Sequence, residues 1–168
     1  WGKNVYVKIP VTNTKGESSI PLVARLSSAG VKVNVTAMMT TRQVRDAIPA
    51  LADGPGGYVS VFAGRIADSG RDPVPMMKEV IQLLRLQNHV ENHIQLIWAS
   101  PREIFNLVQA DEIGCHVITM TNDLLKKIPL IGKDLDQFSL DTVKMFYEDA
   151  KAAGYGLRER IVSVKVPK

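Results

Sequence analysis

A chain of 168 residues, 45% hydrophobic and 23% charged, has the composition of one ordinary globular domain with enough apolar content for a packed core. The net charge of +4 comes from 21 basic and 17 acidic residues spread along the chain, which excludes a dense nucleic-acid-binding arm and fits mild attraction for anionic ligands. No apolar run approaches the roughly 18 residues of a membrane helix, no signal-peptide pattern opens the chain, and the single cysteine, Cys115, can form no internal disulfide, so the cytoplasm is the expected compartment.

The first apolar run, Val5 to Val11, reads as a strand and contains Lys8. In a strand covered on both faces an ammonium loses hydration, which favours the neutral amine that carbonyl attack and imine formation require. The bland alternative is a strand-end lysine reaching out to water. A helix over Ser18 to Ser28 follows and stops at Gly30. The next strand, Val31 to Met38, carries Asn34 and Thr36 two residues apart and hence on one face. They either line a pocket or are buried groups satisfied by backbone. Thr40 and Gln43 have capping-box spacing at the start of a helix over Thr41 to Leu51.

A third strand, Tyr58 to Ala63, leads into Gly64 to Asp72, read as a loop with two arginines and two glycines. Ligands of parallel α/β folds bind at that end of the strands, where Arg65 could grip a phosphate bidentately. Arg71 pairing with Asp68 or Asp72 would only lace the turn. Asp72 before Pro73 marks the start of a helix over Val74 to Asn88. His89 and His93 stand four apart near its end, a metal-compatible spacing, but their polar neighbours and the want of a third ligand favour an exposed helix end.

After the strand Ile94 to Ala99, Ser100-Pro101-Arg102-Glu103 combines an N-cap serine, proline at the first helical position and a glutamate at the third, opening a helix over Pro101 to Gln109. The free N–H groups of that turn, its dipole and Arg102 would suit a phosphate; simple capping is the alternative. A strand over Val117 to Met120, a short helix over Asp123 to Ile128 and a long one over Leu140 to Ala153, stopped by Gly154, follow. An extended tail from Gly156 to Lys168 ends the sequence. Met38-Met39 and Met76-Met77 read as core filling.

This alternation argues for βαβ units and a parallel sheet, and the near-continuous apolar content of the strands for helices over both faces. Periodicity does not choose between an open sheet and a closed barrel. The opening strand presents an uncovered parallel edge, so elements upstream are expected.

Val7-Lys8-Ile9-Pro10-Val11-Thr12, Val33-Asn34-Val35-Thr36-Ala37, Phe62-Ala63-Gly64-Arg65-Ile66 and Gly114-Cys115-His116-Val117-Ile118-Thr119 together resemble the transaldolase and fructose-6-phosphate aldolase family in order and spacing, from about Asn4 to Tyr155. The resemblance implies a (β/α)₈ barrel of the class I aldolase type with Lys8 on the fourth strand. Strands 4 to 8 are then present and strands 1 to 3 missing, with residues 1–157 a partial barrel and 158–168 a C-terminal extension. The family's proton-transfer acid on the first strand and its Glu or Gln on the third have no match in the sequence.

By the same resemblance Lys8 forms the imine, Asn34 and Thr36 hold substrate hydroxyls and a catalytic water, and Arg65, Ser100 and Arg102 bind phosphate. Phe62 stands where transaldolases have phenylalanine and fructose-6-phosphate aldolases tyrosine, which favours transfer of a dihydroxyacetone unit over its release. The implied activity is transaldolase, moving that unit from fructose 6-phosphate or sedoheptulose 7-phosphate to an aldose phosphate in the pentose phosphate pathway, with no cofactor and no metal. The implied partners are sugar phosphates, with no nucleic acid and no membrane, and a homo-oligomer is compatible. Two alternatives stay open: aldolase-type cleavage that releases dihydroxyacetone, and a non-catalytic fragment or assembly partner.

Overall fold

The computed structural model describes residues 2, 4–87 and 94–155. The tail from Gly156, His89 and His93 lie outside the described residues. The chain divides into two compact units, Trp1–Ile128 and Pro129–Lys168.

In the first unit β1 (Val7–Pro10), α1 (Ile20–Ser28), β2 (Val33–Met38), α2 (Thr41–Ala52), β3 (Gly57–Val61), α3 (Ala63–Asp68), α4 (Val74–Gln87), β4 (Ile94–Trp98), α5 (Phe105–Glu112), β5 (Val117–Ile118) and α6 (Asn122–Leu125) follow in order. All five strands are parallel and lie in sequence order, β1-β2-β3-β4-β5. The expected α/β class and parallel sheet are therefore found. Each parallel neighbour is reached by a crossover that carries a helix, as parallel pairing requires.

The core forms on one face of this sheet. Val35, Val59 and Leu96 point into it from three adjacent strands and are fully buried, against Val44, Ala47 and Leu51 of α2 and Met77, Val80 and Leu84 of α4. Burying each such aliphatic side chain contributes about 1.5–3 kcal/mol. Of the paired methionines, Met38 and Met77 are core residues, whereas Met39 is exposed.

The second face corrects the expectation of cover on both sides. Lys8 is exposed, Asn34, Tyr58 and Gln95 are half-buried, and only the next layer, Thr36, Ser60 and Ile97, is buried. Residues 8, 34, 36, 58, 60 and 95 alternate with the apolar set, which is the period-two pattern of a strand whose faces differ.

Local signals set most helix boundaries. The Thr40 hydroxyl accepts from the Gln43 N–H while the Gln43 side chain accepts from the Thr40 N–H, so the capping box is complete. Gly30 adopts a left-handed φ of +81° and its N–H returns to the Ser27 carbonyl, closing α1. Two expectations fail near the strand ends. The segment read as a loop from Gly64 folds its first half into α3. The helix expected from Pro101 starts only at Phe105, because the Asn106 Oδ1 accepts from the Arg102 and Glu103 N–H groups and holds that stretch as a turn.

In the second unit α7 (Leu135–Ala152) begins five residues before the expected Leu140, its N–H at Gln137 capped by the Asp134 carboxylate. Gly154 ends it with φ of +77°.

Candidate active site

Strand register builds the first part of the site. Lys8 pairs with Asn34, Asn34 with Tyr58 and Tyr58 with Gln95, so one row of the second face runs amine, amide, phenol, amide. Residues opposite one another in a sheet send their side chains to the same side. The Asn34 Oδ1 accepts a 2.7 Å hydrogen bond from the Ser60 hydroxyl one layer nearer the strands' carboxyl ends.

Thr36 lies in that layer, buried, and its Oγ1 has no hydrogen-bond partner among the described residues. A buried hydroxyl without a partner costs about 1–3 kcal/mol, and a ligand hydroxyl or a water would recover that. Neither residue is satisfied by backbone, the bland alternative for the pair. Between Val35 and Met38 the β2–β3 register slips, and Ala37 takes φ of +61°, so a bulge re-aims the end of β2.

Lys8 itself is exposed, and the burial that was to keep its amine neutral is not found. The reason is topological. Among the described residues β1 is one of the two edge strands, with β2 as its one strand neighbour. Beneath Lys8 the Tyr6 and Tyr58 rings meet at 4.7 Å, with the Lys32 ammonium 5.4 Å from the Tyr6 centroid. Burial, then the charge of and hydrogen bond with Tyr6, raise the Tyr58 phenol above its ordinary value, so it stays a proton donor.

The second part lies past the carboxyl ends of β3 and β4. Phe62 precedes α3, and the Arg65 guanidinium carbon sits 5.8 Å from its ring centroid. Ser100 follows β4 in a left-handed conformation, φ +61°, its N–H donating to the Thr119 hydroxyl at 3.4 Å. It does not cap a helix, which corrects the N-cap expectation. Non-glycine residues in this region of φ cluster at functional sites, and Ala37 and Ser100 both stand at carboxyl ends of strands.

Gly64 ties the two loops. A side chain there would overlap the Ser100 carbonyl and come within 3.3 Å of the Arg102 Cγ, so only glycine lets α3 lie against the turn after β4. Arg102 then reaches Asp68 on α3, donating from Nε to both carboxylate oxygens at 2.9 and 3.0 Å and from Nη2 to the second. Asp68 is thus the partner of Arg102 and not of Arg71. Those hydrogen bonds, with the charges of Arg102 and Arg65, hold its carboxyl below the usual carboxylate range despite partial desolvation. Phe62, Arg65, Ser100 and Arg102 are brought together, and no hydrogen bond or ion pair joins them to the Lys8 row among the described residues.

Ser60, Asp68 and Asn106 are the participants that sequence reasoning missed. Ser60 stands in the same two-residue alternation that singled out Asn34 and Thr36. Asp68 and Asn106 had no comparable signal, because both meet the stretch at Arg102 and Glu103, which reads in sequence as a helix start and is a turn. Beside β5, Cys115 is half-buried, and desolvation pushes its thiol up, away from the ready thiolate of an activated nucleophile. No group of three metal-ligating side chains occurs among the described residues, and no helix among them is long and apolar enough to cross a membrane. A cavity between α4 and α5, lined by Lys78, Arg85, Asp111 and Gly114, holds none of the site residues.

A parallel sheet in sequence order, with a helix in each crossover, defines an α/β protein, and this order is the one a β/α barrel also has. The sequence model of the Transaldolase/Fructose-6-phosphate aldolase family matches residues 1–161, and the chain belongs to that family. It is 34% identical over 144 residues to "Probable transaldolase 2" of Listeria monocytogenes, covering 84% of this chain and 61% of that one. It is 33% identical over 126 residues to "Probable transaldolase" of Caldicellulosiruptor saccharolyticus, 75% and 54% of the two chains. For "Probable transaldolase" of Nitrosopumilus maritimus the figures are 32% over 152 residues, 89% and 64%. The chain thus spans about three fifths of the length of these curated relatives.

Proposed function

We propose that this protein is a transaldolase that carries a dihydroxyacetone unit on Lys8 as a Schiff base. The observation that supports it best is the register of Lys8 with Asn34, which sets an amine beside an amide already oriented by Ser60. The Lys8 amine would add to the C2 carbonyl of a ketose phosphate and expel water, giving a protonated iminium. As the C4 hydroxyl loses its proton, the C3–C4 bond breaks and its electron pair enters the iminium, leaving an enamine and a free aldose phosphate. The enamine then attacks the acceptor aldehyde, and hydrolysis returns the lysine. The iminium is the electron sink, so the chemistry calls on no metal.

Asn34 and Thr36 would hold hydroxyls and the hydrolytic water. Arg65, Ser100 and Arg102 would hold the phosphate, spending binding energy from a remote group on orientation at the reacting carbons. Phe62 speaks for transfer over release of dihydroxyacetone. Lys8 would be the fourth-strand lysine of a barrel, and the five strands seen would be its strands 4 to 8. Borohydride reduction in the presence of fructose 6-phosphate should place a stable adduct on Lys8, mapped by mass spectrometry, and Lys8→Met should abolish it. No adduct on Lys8 in the protein at its full encoded length rejects the assignment.

A second reading, an assembly partner without catalysis, is favoured by one observation: Val5, Tyr6 and Val7, at and just before the start of the edge strand β1, are 36–40% exposed. Sedimentation velocity separates the two, since a partner-dependent chain self-associates or aggregates alone.

A further inference from the structure

We propose that Asp68 is a positioning residue that fixes which edge of Arg102 meets a phosphate; this rests on the reading of Arg102 as part of a phosphate site. Arg102 is clamped at three points. Its N–H is held by the Asn106 Oδ1 at 2.7 Å, its stem lies over Gly64, and its Nε and Nη2 are taken by Asp68. A guanidinium has five N–H donors in a fixed fork. Asp68 uses the Nε edge, so one hydrogen on Nη1 and one on Nη2 stay available as the end-on edge, and the second Nη1 hydrogen faces the Cδ side.

That edge matches two oxygens of one phosphate, while the paired carboxylate removes much of the arginine's net charge. The site built in this way grips a monophosphate by directed hydrogen bonds more than by bulk attraction. Exposed arginine side chains lose considerable rotamer freedom when they bind, and a side chain already clamped has less to lose. Asp68 thereby acts on affinity through Arg102 without touching the ligand. The Asn106 side chain is itself steadied by donating to the Gln109 Oε1 at 2.9 Å, so the clamp is anchored on α5.

The test uses Asp68→Asn, which keeps shape and removes charge, with binding of inorganic phosphate and of fructose 6-phosphate followed by calorimetry in the full chain. Binding should weaken roughly tenfold, the equivalent of one charge-assisted hydrogen bond. Asp68→Glu should recover most of it. Tighter or unchanged binding in Asp68→Asn overturns the proposal, because Asp68 would then be a competitor or a bystander. A parent protein that traps dihydroxyacetone on Lys8 yet binds no phosphate overturns the phosphate site and this inference together while leaving the lysine chemistry standing. Conversely, phosphate binding that depends on Asp68 with no adduct at Lys8 supports the clamp and removes the transaldolase reading.

Discussion

His116 shows how far one side chain reaches. Its Nδ1 accepts from the Leu96 N–H at 3.1 Å, standing in for a strand carbonyl where β5 has not yet begun. Only the neutral ring can accept there, and burial, then the Arg85 charge, lower its proton affinity. A depressed folded-state value means the unfolded chain binds the proton more readily. The stabilisation is therefore complete above about pH 6.5, the ordinary imidazole value, and is lost as pH falls through the folded value. Melting temperature measured between pH 7.5 and 5 should drop across that window, and His116→Gln should flatten the drop. For Arg65 the same scale gives a selectivity test. Arg65→Ala should weaken use of phosphorylated donors by about tenfold or more while affecting free dihydroxyacetone much less. Equal losses on both reject its phosphate role.

Among the elements, α3 is the one whose place depends on a single residue. Because a Cβ at Gly64 would strike the Ser100 carbonyl, Gly64→Ala should cost about 1–3 kcal/mol by chemical denaturation and also loosen phosphate binding, since it moves Arg65 and Asp68 away from Arg102. A stability loss without a binding loss would mean the loops adjust independently. The strands and most helices were legible because their patterns are local: the Thr40 box, the Gly30 stop and the apolar runs each contain their own cause. α3 and the delayed start of α5 were not, because each is decided by contacts between loops far apart in sequence. The two-faced character of the sheet was present in the alternation of Lys8, Asn34, Thr36, Ser60 and Gln95, but frequent valine and isoleucine between them reads as continuous apolarity. Asn34, Thr36, Phe62, Arg65 and Arg102 were singled out as candidates by motif, whereas the Arg102–Asp68 pair required a fold.

At the scale of the whole sheet, β2, β3 and β4 each have a neighbour on both sides and β1 has one among the described residues. Native-state hydrogen exchange should therefore protect Val35, Val59 and Leu96 amides most and Lys8 least. Equal protection at Lys8 would mean that something in solution covers the β1 edge. The strictly consecutive strand order carries a further meaning for how the chain comes to be ordered. Each new strand joins the one made just before it, so every pairing closes only the short stretch between them and none waits for a distant segment. As the polypeptide leaves the ribosome, each added β/α unit from β2 to β5 can settle on the strand already formed before it.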